Sequence, residues 1–244
     1  VPTLALGGPD VKFYPCLVMA FTPAISYEAG LGTDGWTADM TAADNKEALR
    51  HKEKMAKRKA VQDAEVASKT IAEKGLLIVH TGPGKGKSTA AFGLIMRALG
   101  HGWRIGVVQF IKGAWSTGER QALERFSDLV SWHSMGEGFT WETQDRERDI
   151  AAAEAAWERV KALMADPEIR LLVLDELNIA LRYDYLPLTE IVEVLKARRP
   201  DLHIVVTGRN AKPELIEAAD LVTEMTLIKH HFAAGVKAQE GIEF

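Results

Sequence analysis

The sequence predicts an α/β fold, a mainly parallel sheet flanked by helices and preceded by a long N-terminal helix. Three observations carry this reading. Beyond residue 75, six short apolar runs alternate with segments of helical period. The runs are apolar nearly throughout, which suits strands buried on both faces and therefore parallel. A glycine-rich stretch joins the first run to the first helical segment, the place where such folds bind phosphate.

Residues 1–39 differ from the rest of the chain: Pro and Gly recur, helical periodicity is missing, and the segment opens on Val1. Pro15-Cys16-Leu17-Val18-Met19-Ala20-Phe21 has an apolar core but only Lys12 ahead of it, a poor match to a signal peptide. Met40-Thr41 then opens a charged segment, so 1–39 reads as a disordered or non-native extension. Residues 43–72 hold no Gly or Pro and many helix formers, which predicts a long polar helix. It dominates an N-terminal segment, 40–74, ahead of a nucleotide-binding domain, 75–244. The basic run from Arg50 to Lys59 is either a solvated helix face or a contact for RNA or a bound anion.

In the domain, strands are predicted at 76–80, 105–110, 129–132, 171–174, 204–207 and 221–225, and helices at 88–99, 119–126, 145–164, 188–197 and 213–219. Leu188, Ile191, Val192 and Leu195 fall on one face, the spacing of a helix laid against a sheet. The ligand of such a sheet sits beyond the carboxyl ends of its strands.

Thr81-Gly82-Pro83-Gly84-Lys85-Gly86-Lys87-Ser88 follows the first strand and opens the first helix. Glycines let backbone N–H groups turn toward an anion, the helix N-terminus adds positive potential, and Lys87 adds a full charge. Ser88 offers the hydroxyl that such loops give to Mg²⁺. The pattern G-x-x-x-x-G-K-[ST] is met except at its first glycine, where Thr81 stands and Gly82 follows one residue late. Asp175-Glu176 ends a strand, either a plain strand end or the acidic pair that holds Mg²⁺ against phosphates. In 136–144, glycines flank Phe139 and Trp141, which are either anchors into the core or an apolar surface for a flat ligand. Gln109 to Gly113 and Thr207-Gly208-Arg209-Asn210 end two further strands, and Arg209 is either a phosphate or carboxylate clamp or a surface ion pair. His230 and His231 lack partners at metal spacing and read as solvated or phosphate-facing.

Composition narrows the function. With 47% hydrophobic residues among 244 the chain can build a real core, and 30 basic against 34 acidic residues, net −4, favour small-molecule partners over nucleic acid. A single cysteine, Cys16, suits a reducing, cytoplasmic compartment and excludes Cys catalysis in the domain. No stretch reaches the roughly 18 apolar residues of a membrane span. No Ser-His-Asp order or kinase-type catalytic loop is found, so a second substrate has to bring its own nucleophile.

The variant loop 81–88, Gly138-Phe139-Thr140-Trp141, Leu174-Asp175-Glu176-Leu177-Asn178, Thr207-Gly208-Arg209 and Lys229-His230, in that order, resemble the P-loop ATP:corrinoid adenosyltransferases that act on cob(I)yrinic acid a,c-diamide or cob(I)alamin. The resemblance spans 45–244, with Pro83 where many members carry Asn. It implies a P-loop NTPase-like, RecA-like sheet and transfer of the 5′-deoxyadenosyl group of ATP to Co(I), the nucleophile, with triphosphate leaving. It implies ATP contacts from Gly82, Pro83, Gly84, Lys85, Gly86, Lys87, Ser88, Thr89, Arg97 and Arg209, with Lys87 also catalytic. Mg²⁺ (or Mn²⁺) would be held by Ser88, Glu176 and Asp175. Phe139 and Trp141 would bind the corrinoid and exclude its lower axial ligand, easing reduction to Co(I) by an electron-donating flavoprotein. A homodimer is implied, with the N-terminal helix covering the partner's site. A RecA-like ATPase or phosphotransferase, and an ATP-gated RNA-binding module, remain the alternative readings.

Overall fold

The computed structural model describes residues 36–71, 73–111, 117–134 and 145–243. The chain divides into two units, Val1–Ser68 and Lys69–Phe244. The first contains α1 (Trp36–Ala67), a single helix of 32 residues free of Gly and Pro. It starts ahead of the predicted 43 because Trp36 to Ala42 are also compatible with helix, and Gly35 lies just before it. It stops short of 72 because the Ser68 hydroxyl donates to the Glu65 carbonyl at 2.6 Å, a side-chain bond that competes with the next helical turn.

The second unit runs β1 (Leu77–Thr81), α2 (Lys87–Leu99), β2 (Arg104–Gln109), α3 (Gly118–Leu123) with a 3₁₀ turn Glu124–Phe126, β3 (Val130–Ser134), α4 (Arg146–Ala165), β4 (Ile169–Asp175), α5 (Leu177–Arg182), α6 (Leu188–Lys196), β5 (His203–Thr207), α7 (Pro213–Ala218), β6 (Leu221–Glu224) and a 3₁₀ turn His231–Ala234. All six predicted strands form. The predicted helix 119–126 splits into α3 and the 3₁₀ turn, and α5 is not foreseen from sequence because its six residues are too few for a period.

The strands make one sheet in the order β3-β2-β4-β5-β1-β6, every pairing parallel. Alternate side chains feed two apolar layers, as period 2 requires. Leu77, Val79, Val108, Leu172, Leu174, Ile204 and Val206 pack on one face with Trp157, Val160 and Leu163 of α4, Leu177 and Leu181 of α5, Ile191 and Leu195 of α6, and Leu215 of α7. Ile78, Ile105, Val107, Leu171, Val173 and Val205 pack on the other with Ala91, Phe92 and Ile95 of α2 and Leu123 of α3. Gly106 makes room on the first face, where a Cβ would come within 2.8 Å of Leu172 Cδ1. Burial on both faces holds for β1, β2, β4 and β5 but not for β6, whose four residues are exposed at the sheet edge. None of the described helices is long and apolar enough to cross a membrane.

Candidate active site

The sheet order sets the site. Because β5 stands between β1 and β4, the phosphate loop after β1 and the acidic pair after β4 are separated by the end of β5, which is Thr207. The loop turns through left-handed glycines, φ 96 at Gly82 and φ 103 at Gly86, the latter capping α2. α2 has no side-chain cap and no acidic residue in its first turn, so its leading N–H groups face the loop uncompensated. Gly82 and Gly84 are buried, while Pro83, Lys85, Gly86 and Thr89 are exposed and Ser88 is half-buried.

Lys87 is only 7% exposed. Its ammonium donates to the Gly84 carbonyl, folding the side chain back over the loop. Burial pulls its pKa below the ordinary lysine value; the Glu176 carboxylate opposes this, while Arg209 and Lys85 add to it. Lys87 therefore feels Lys85 and Arg209 as like charges and Glu176 as an opposing one.

Asp175 is fully buried. Its Oδ1 accepts from Ser88 Oγ at 2.7 Å and from Thr207 Oγ1 at 2.8 Å, and its Oδ2 accepts from Gln109 Nε2 at 2.9 Å. Gln109 Oε1 in turn accepts from Ser134 Oγ at 2.9 Å, which accepts from Trp132 Nε1 at 3.1 Å. The register explains the chain of bonds. Gln109 pairs with both Asp175 and Ser134, and His80 with both Thr207 and Thr223, so the carboxyl ends of the strands carry one polar row across the α2 face of the sheet. His80 is the row's exception: it is buried, burial pushes its pKa down, and neither ring nitrogen has a hydrogen-bond partner among the described residues.

Glu176 follows with φ 63, a left-handed non-glycine residue that caps α5. Its N–H donates to Thr207 Oγ1 at 3.0 Å. Strain of this kind persists only where the surroundings impose it. Here they include Gly208, φ 127, where a Cβ would stand 3.1 Å from Glu176 Oε2 and 2.8 Å from Asn178 Cβ. Buried Asn178 donates to the Gly208 carbonyl at 2.9 Å and fixes the two strand ends together.

The structure therefore brings Gly82, Gly84, Lys85, Gly86, Lys87, Ser88, Asp175, Glu176 and Arg209 to one end of the sheet. Arg97 is not among them: it is exposed in the last turn of α2, ten residues beyond Lys87 and so about 15 Å along the helix. Phe139 and Trp141 lie outside the described residues, in the segment that follows β3. The sequence placed Gln109 and Thr207 only as strand ends near the ligand, and left Ser134 without a role. Their shared signal was a polar residue closing an apolar strand.

The description "ATP:corrinoid adenosyltransferase BtuR/CobO/CobP" matches residues 73–244, and "Cob(I)alamin adenosyltransferase N terminal" matches 40–66. The chain belongs to this family. A corrinoid adenosyltransferase of Pseudomonas aeruginosa is 60% identical over 195 residues, 80% of this chain and 96% of the relative. One from Sinorhizobium sp is 56% identical, covering 87% of this chain and all of the relative. The corrinoid adenosyltransferase CobA of Salmonella typhimurium is 48% identical, covering 80% and 98%. The matched span contains the phosphate loop, the acidic pair and the closing segment.

Proposed function

We propose that the chain transfers the 5′-deoxyadenosyl group of ATP to the Co(I) of a reduced corrinoid, releasing inorganic triphosphate, in cobalamin synthesis or salvage. The observation that carries this is the family match over residues 73–244, read with a buried Lys87 folded onto a glycine loop whose Ser88 is tied to a buried carboxylate. That arrangement favours a polyphosphate leaving group. Co(I) attacks C5′, the C5′–O bond breaks, and its electron pair leaves on triphosphate while cobalt becomes Co(III) with a carbon ligand. No protein nucleophile or base is required. Lys87, held by the Gly84 carbonyl in a poorly solvated position, supplies a charge aimed at the oxygens that gain electron density, and such preorganised charge is worth several kcal/mol in the transition state.

The residues fit Mg²⁺. Ser88 donates its one O–H hydrogen bond to Asp175, which leaves its oxygen lone pairs available for a cation, and Glu176, next in sequence to Asp175, adds a less buried carboxylate. When bound, the ion would offset phosphate charge. Asp175, engaged by Ser88, Thr207 and Gln109, acts as the group that orients Ser88. Phe139 and Trp141 we assign to the corrinoid's lower face, where displacing the axial ligand eases reduction by a flavoprotein. We further propose a cytoplasmic homodimer in which the part of α1 from Met40 onward covers the partner's site, with residues 1–39 dispensable.

The test is anaerobic incubation with ATP, Mg²⁺ and a chemically reduced corrinoid. A cobalt–carbon product together with triphosphate is expected. ADP and phosphate without an alkylated corrinoid would instead identify an ordinary ATPase. Replacing Phe139 and Trp141 with Ala should abolish the reaction that starts from Co(II) and spare much of the one that starts from Co(I).

A further inference from the structure

The segment after β6 is built onto the phosphate loop. The Gly84 N–H donates to the Met225 carbonyl at 2.6 Å. A Cβ on Gly82 or Gly84 would come within 2.5 or 2.7 Å of that same oxygen, so only glycine permits this approach. Beyond it the 3₁₀ turn His231–Ala234 ends at Gly235, φ 83, and the chain returns to bring Glu243 back to the loop. One Glu243 carboxylate oxygen takes the Lys85 ammonium, and the other lies 3.2 Å from His231 Nε2. The His230 ring stacks on His231 at 4.7 Å, and the polar atoms of His230, His231 and Glu243 all lie within 4.8 Å of one another. The Glu243 side chain is 12% exposed against 55% for Lys85, so the carboxylate is the enclosed partner. The Lys85 hydrogen bond foremost, with help from both imidazoles and against burial, holds its carboxyl below the ordinary range.

A carboxylate seated by one ammonium and two imidazoles on a phosphate-binding loop occupies an anion site. We propose that Lys85, His230 and His231 form a seat for a terminal phosphate of the polyphosphate chain, and that Glu243 is its built-in competitor, withdrawing as phosphate enters and returning as it leaves. This rests on the reading of ATP as substrate. Charge sets the direction: a phosphate in reach of Lys85 would face the Glu243 carboxylate, and two anions at one ammonium repel, so they exchange instead of sharing. The returning carboxylate then replaces the phosphate as the counterion of Lys85 and favours product release. Spacing alone would also suit a transition metal. Lys85 already occupies Glu243, however, and the Phe232 N–H donates to His230 Nδ1 at 3.1 Å, which opposes a cation.

Calorimetric titration of the full chain with inorganic triphosphate and Mg²⁺ tests the exchange. Glu243→Gln should bind about tenfold tighter than wild type, and His231→Asn about tenfold weaker. Equal affinity in all three proteins would overturn the seat while leaving the ATP reading intact. Weaker binding by Glu243→Gln would overturn the competitor role. Failure of both triphosphate and ATP to bind any of the three would overturn the seat and the ATP reading together. A Zn²⁺ titration giving heat that both variants lose would make the cluster a metal centre instead.

Discussion

Replacing Gln109 with Leu isolates the polar row from the loop it supports. The amide donates to Asp175 Oδ2 at 2.9 Å and accepts from Ser134 at 2.9 Å, and Gln109 is 3% exposed. Leucine fills a similar volume, so the cost is polar and not a cavity. A hydrogen bond to a charged group contributes about 1.5–3 kcal/mol, and more of that range applies where the carboxylate is fully buried. Half-buried Ser134 can turn to water and adds little. A total near 2–3 kcal/mol, at roughly 2–4 °C per kcal/mol for a unit of this size, lowers Tm by about 4–12 °C. Loosening Asp175 also frees the Ser88 hydroxyl, so Mg²⁺-dependent ATP affinity should fall about tenfold, equivalent to about 1.4 kcal/mol. Gln109→Glu makes the opposite diagnostic. It sets a second carboxylate against Asp175, and two such groups cannot both ionise without cost, so one pKa rises. That variant should regain stability as pH falls and lose it as pH rises through the raised value. Scanning calorimetry and nucleotide titration read all of this. A Gln109→Leu protein that melts within a degree of wild type and binds Mg²⁺·ATP equally well would refute the claim that the row positions the loop.

Three further outcomes are expected. Gly208→Ala should destabilise by about 2–4 kcal/mol in urea titration, since left-handed strain adds to a 2.8 Å approach to the buried Asn178 Cβ, and turnover should drop with the displaced Glu176; wild-type stability would contradict the packing described. Lys87→Met should melt no lower than wild type while losing ATP binding, because burial makes this ammonium a net cost that is present at neutral pH and relieved as pH rises through its lowered pKa. A fall of more than about 5 °C would show that its bond to Gly84 outweighs that cost. Asp220 accepts from the Leu77 N–H at 2.9 Å and from Arg198 at 2.6 Å, and these contacts with Lys74 overcome burial to lower its pKa. Its contribution is complete above the ordinary carboxylate value and lost as pH falls through the lowered one, so Asp220→Asn should flatten the acid limb of the stability profile, and an unchanged limb would count against it.

The left-handed glycine turn and the strand-end acidic pair were legible in sequence because each is a local device. Glycines at the positions that need positive φ, a lysine and serine at a helix start, and two carboxylates at a strand end carry their chemistry wherever they fold. The polar row was not legible, since Gln109, Thr207 and Ser134 taken singly are ordinary strand-end residues. Sheet order and register bring them into line, and both are long-range properties. The same cause explains the misjudged burial of β6: Leu221 and Val222 form an apolar run like the others, and only its place outside β1 exposes them. The partner of Lys85 was equally hidden, because Glu243 reaches the loop only after the chain has reversed at Gly235.

Strand order also explains why the site can hold a strained Glu176. With β5 between β1 and β4, the Thr207 hydroxyl is placed to donate to Asp175 and accept from the Glu176 N–H. One side chain thus satisfies a buried carboxylate and pins a left-handed turn. Exchanging Thr207 for a residue without that hydroxyl would break both bonds at once, whereas loss of Ser88 or Gln109 removes only one of the contacts on Asp175. The hydroxyl therefore couples the Asp175 side of the site to its backbone geometry, a link that neither the loop nor the acidic pair could establish alone.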